Sequence, residues 1–97
     1  MSSQPQRAAT EIRIVALVSK VRDHPQGSFA VTYPVERTGF SIPQEIGKEA
    51  VTFTVAEAWQ DEFEPQAGQL VVLSGLRLFE KGWRALSARP IRLRRES

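Results

Sequence analysis

From Gly68 to Leu93 the chain carries two long, apolar, strand-like runs broken only at Glu80-Lys81-Gly82, and this pair restricts the possible folds more than any other stretch. Gly82 can adopt the positive φ that a tight hairpin requires, so the two runs are predicted to pair with each other. In the first run Leu70, Val72, Leu76 and Leu78 fall on one face, and Gln69, Val71, Leu73, Arg77 and Phe79 on the other. A strand apolar on both faces suits a closed or strongly curled sheet, and Gly75 in its middle marks a bend or bulge. In the second run Leu86 and Ala88 are expected to point inward, and Pro90 marks an edge or a bulge, after which Ile91 and Leu93 resume the apolar positions.

The remaining chain supplies three more strands and one short helix. Glu11 to Arg22 holds Ile12, Ile14, Val15, Leu17, Val18 and Val21, with a change of apolar phase near Ala16, and reads as a long bent strand. Asp23 to Gly27 is a turn by composition. Phe29, Val31 and Tyr33 then alternate against Ala30 and Thr32, up to Pro34. Glu36-Arg37-Thr38-Gly39 is a further turn before Phe40-Ser41-Ile42-Pro43, and Gln44 to Lys48 is a loop. Ala50 to Val55 places Val51, Phe53 and Val55 on one face and Thr52 and Thr54 on the other. Thr54-Val55-Ala56-Glu57 matches a capping box, Trp59 and Phe63 stand one helical turn apart, and Pro65 stops the run.

The chain is 97 residues long, enough for one domain and no second. Met1 to Thr10 is polar and without period and reads as a tail, leaving residues 11–95 as the folded unit. The absence of cysteine removes disulfides, thiolate metal sites and thiol nucleophiles from consideration. No apolar run near the start suggests a signal peptide and no stretch approaches a membrane span, so a cytoplasmic location is expected. His24 is the single histidine, lying in a Pro-flanked turn, and no phosphate-cradling glycine loop occurs. Glu57, Asp61, Glu62 and Glu64 lack the spacing of an oxygen cage and read as a solvated helix face. The chain is therefore expected to be neither an enzyme nor a holder of metal or cofactor.

Charge is distributed unevenly. The net charge is +2 over residues 1–24, −5 over residues 25–66 and +5 over residues 67–97. A basic block beside an acidic middle lets one surface attract polyanions in a molecule that is nearly neutral overall. The same arginines would also protect a solvated strand edge from pairing with another chain.

Three strands, a short helix and two long strands make up the element order of the OB-fold, which the chain resembles over roughly residues 11–95: an all-β, five-stranded Greek-key barrel with a short helix between strands 3 and 4. The Gly68 to Gly75 segment is similar to the fourth strand of many OB-folds, and an SH3-like barrel offers no natural place for a Thr54 to Phe63 helix. Within that class, Phe29 to Leu93 also resembles a cold-shock domain, with Tyr33, Gly39-Phe40-Ser41-Ile42, Val51-Thr52-Phe53-Thr54-Val55 and Gly68-Gln69 standing for its motifs. Ile42, Thr52 and Thr54 occupy positions where that family carries stacking side chains. The cold-shock alignment makes residues 12–22 an added strand, whereas the plain OB order makes them strand 1.

The OB resemblance implies a ligand surface on strands 2 and 3 and the loops joining strands 1 to 2 and 4 to 5. Tyr33 and Phe40 belong to the first area, and Lys81, Trp83 and Arg84 to the second, with Arg37, Arg77 and Arg89 extending the charge and Phe79 adding an aromatic. Trp83 is the aromatic most expected to be exposed. A base stacked on it would contribute on the order of 1–3 kcal/mol. Phe29, Phe53, Trp59 and Phe63 are expected in the core, and Tyr33, Phe40 and Phe79 fit either role. The implied function is binding of single-stranded DNA or RNA with little sequence preference. The alternative is a protein-interaction or oligomerisation module, for which the acidic middle third and modest net charge speak.

Overall fold

A computed structural model describes residues 12–91, and the expected tail as well as Glu11 and residues 92–95 lie outside this range. The β-branched runs become five strands: β1 (Arg13–Arg22), β2 (Phe29–Val35), β3 (Val51–Thr54), β4 (Leu70–Phe79) and β5 (Gly82–Pro90), with a helix α1 (Val55–Ala58) between β3 and β4. The strands close into a ring in the order β1-β2-β3-β5-β4, with β4 returning to pair with β1. All ladders are antiparallel except a short parallel contact of β3 with β5 at Val51–Trp83 and Thr52–Arg84. Residues 13–22 are thus a full member of the ring, pairing with both β2 and β4.

Closure requires the long strands to bend. In β1 the bend is a register shift between Val18 and Lys20, later in the strand than the expected phase change at Ala16. In β4 it is Gly75, with φ +65°. There the alternation resets, so Val71, Leu73 and Leu76 all serve the interior, and the expected grouping of Val72 with Leu76 does not occur. β5 resets opposite it: Ala85 and Ala88 are buried, whereas Leu86 is 47% exposed. The expectation that Leu86 points inward is corrected for the same reason.

The core combines Ile14, Ala16 and Val18 of β1, Ala30 of β2, Val51 and Phe53 of β3, Val71 and Leu73 of β4, and Ala85 and Ala88 of β5. Ile46, from the loop before β3, and Ala58 of α1 join them. Because β2 turns its small residues inward, its larger ones face out, which decides where a ligand surface can form. Thr32 is fully buried and donates its Oγ1 proton to the Val51 carbonyl at 2.8 Å. This satisfies the hydroxyl, whose desolvation would otherwise be costly.

The helix is shorter than the expected Thr54 to Phe63. After Ala58 the chain is extended, and Trp59 stacks on Phe53 with ring centroids 5.6 Å apart and planes 9° from parallel. Thr54 donates to the Glu57 carboxylate at 3.4 Å, but its side chain does not cap a backbone N–H. Trp59 Nε1 donates to the Phe63 carbonyl at 2.7 Å and leaves the Phe63 ring 70% exposed, so Phe63 is not a core residue. Packing of Trp59 onto Phe53 replaces the helical turn that would have brought Phe63 inward. Among the described residues no helix is long and apolar enough to cross a membrane.

Candidate functional site

The outer face of β2 follows from its inner one. With Ala30 and Thr32 inward, Phe29, Val31 and Tyr33 project outward in one stripe. Phe29 and Val31 are half-buried, and Tyr33 is 45% exposed. Phe29, expected in the core, therefore stands on the surface, edge-on to the His24 ring at 6.4 Å.

Register joins this stripe to charge on both sides. On β1, Arg22 pairs with Phe29, Lys20 with Val31 and Leu17 with Tyr33. On β3, Thr54 pairs with Phe29 and Thr52 with Val31. Thr52 in turn neighbours Arg84 of β5, and Arg84 pairs with Arg77 of β4. One row thus crosses the ring as Lys20, Val31, Thr52, Arg84 and Arg77, with cations at both ends and uncharged side chains between. The Phe29 end of the face also holds a carboxylate, Glu57, through its bond to Thr54.

Five of the nine expected site residues connect to the stripe or to this row. Tyr33 lies on the β2 stripe, Arg84 adjoins Thr52 of β3, Arg77 pairs with Arg84 one strand further round the ring, Phe79 packs under the Arg84 guanidinium at 4.4 Å, and Lys81 is exposed in the hairpin turn. The other four are elsewhere. Trp83 alternates with Arg84, so it faces the interior side and packs half-buried against the core. Arg89 lies at the far end of β5, beyond the phase reset, opposite Val72. Arg37 and Phe40 bridge each other in the connection after β2, and Phe40 lines a cleft with Ile12, Arg13 and Pro43.

Lys20, Arg22, Phe29, Val31 and Thr52 escaped the sequence-based selection. The short turn between Arg22 and Phe29 signals that these two become partners. What the alternation of Phe29, Val31 and Tyr33 does not reveal is which side of the strand faces the core. Among the described residues no group of three His, Cys, Asp or Glu side chains is assembled that could hold a metal.

No family model matches the chain, and no curated protein and no solved structure matches it.

Proposed function

We propose that this ring is an OB-fold module that binds single-stranded nucleic acid, without catalysis, on the outer face of β2 and β3. The observation that carries the reading is the Lys20–Val31–Thr52–Arg84–Arg77 row, beside the Phe29–Val31–Tyr33 stripe. Single strands need a positive track for phosphates together with apolar or aromatic surface for bases, and both are supplied here by outward residues of adjacent strands. The five-strand ring with a helix between β3 and β4 supports the OB assignment, and the step from fold to ligand is by analogy. Contacts to the phosphate backbone and stacking on aromatic rings carry little sequence information, so low sequence preference is expected.

The deciding experiment is fluorescence anisotropy of labelled mixed-sequence single-stranded DNA and RNA at low and moderate salt. Salt-dependent binding that Tyr33→Ala weakens, with circular dichroism unchanged, supports the reading. Absence of binding to both polymers at low salt rejects it.

A second reading, a protein-interaction or oligomerisation module on the same fold, draws on Phe63, whose exposed ring rises between Glu62 and Glu64. It predicts a defined oligomer or partner complex lost in Phe63→Ala, with no oligonucleotide affinity, and sedimentation velocity tests it.

A further inference from the structure

Arg77 and Arg84 occupy directly opposed positions on the β4–β5 ladder, both exposed on the outer face. Opposed residues in an antiparallel pair have Cα atoms about 4.5–5.5 Å apart, so their side chains leave the sheet side by side. Like charges so placed destabilise a sheet, and opposite or uncharged pairs are the stable alternatives. No carboxylate among the described residues is paired with either guanidinium. Arg84 instead lies over the Phe79 ring at 4.4 Å. That contact is diagonal across the hairpin and is open to the ring because Phe79 faces Gly82, which has no side chain. A guanidinium held over an aromatic face loses less freedom on binding than a mobile one.

We infer that Arg77 and Arg84 form a seat for a single phosphate group, with Phe79 as the residue that positions Arg84. This inference rests on the proposed nucleic-acid reading and deepens it by assigning one anchoring phosphate to the β4–β5 hairpin. A phosphate between the guanidiniums turns a repulsive pair into two charge-assisted, fork-shaped interactions. The fold thus maintains, at some cost to its stability, an arrangement that only an anion relieves. Glu80, in the adjoining turn, is the nearest acid in sequence, three residues from Arg77 and four from Arg84.

The test compares wild type, Arg77→Gln, Arg84→Gln and the double variant, measuring thermal unfolding at low ionic strength and the salt dependence of binding to a labelled mixed-sequence single-stranded DNA. Relief of repulsion is expected to raise Tm by about 1–4 °C in Arg77→Gln, whereas in Arg84→Gln the loss of the contact with Phe79 offsets the gain and Tm is expected to stay near wild type. Because both arginines serve one phosphate, the double variant is expected to lose about 0.7 from the log–log salt slope, and each single variant, in which the remaining arginine still meets the phosphate, less than that. A slope unchanged from wild type in the double variant overturns the assignment. So does a slope loss accompanied by a fall in Tm, which would report damage to the fold. A loss of about 1.4 in the double variant also overturns the shared seat, because it counts two separate contacts. If wild type binds no polyanion, the parent reading fails, an outcome distinct from wild-type binding whose slope the variants leave untouched. Titration with inorganic phosphate separates the source of the group: DNA bound far more tightly through the same arginines assigns a backbone phosphate, and equal affinities assign a free one.

Discussion

Gly75 faces Leu86 across the β4–β5 ladder, and a Cβ on Gly75 would come within 3.0 Å of the Leu86 Cβ. With φ at +65°, a side chain here is strained by the backbone conformation, and it would also require Leu86 to shift. Gly75→Ala is expected to destabilise the domain by about 1–3 kcal/mol, visible as a lower urea midpoint at unchanged m-value. A neutral effect would show that the phase reset of both strands does not depend on this glycine.

Thr32→Val keeps the volume and removes the proton that Thr32 Oγ1 gives to the Val51 carbonyl at 2.8 Å. An expected loss of about 0.5–1.5 kcal/mol corresponds to one buried neutral hydrogen bond. Equal stability of the variant would mean that the β2–β3 ladder alone satisfies that carbonyl.

Phe53 is fully buried and stacked on Trp59, so Phe53→Ala removes both core volume and the platform that ends α1. A cost of about 3–5 kcal/mol is expected, together with a change in tryptophan emission well below the unfolding transition. Should emission stay native-like while stability falls, Trp59 is held by its bond to Phe63 more than by the stack.

On the proposed interface, Tyr33→Ala is expected to weaken single-strand binding by about 1–3 kcal/mol. Lys20→Gln and Arg22→Gln are each expected to lower the salt slope by about 0.7 if a phosphate rests there. Trp83→Ala is expected to act mainly on stability, because Trp83 packs against the core, and chemical denaturation beside binding separates the two effects.

Much of the ring was readable from local pattern. The hairpin at Glu80-Lys81-Gly82, the inward Val51 and Phe53, and the breaking role of Gly75 all follow from rules that act within a few residues. The site was less readable. The alternation of Phe29, Val31 and Tyr33 against Ala30 and Thr32 is symmetric as a pattern, and size suggested the wrong side. A small closed ring has room inside for only a few large side chains, and Phe53, Ile14, Ile46 and Leu73 already take that space. Ala30 and Thr32 are what fits beside them.

What the sequence determined by itself is therefore the set of strands, their turns and the points at which they must bend, since backbone propensity and glycine geometry are properties of short segments. Tertiary structure alone decided which face of β2 meets solvent, that Trp83 turns in while Arg84 turns out, and that Lys20, Arg84 and Arg77 share one row. Those outcomes depend on the volume available inside the closed ring and on register between strands far apart in the chain, and neither quantity is written in any single stretch of residues.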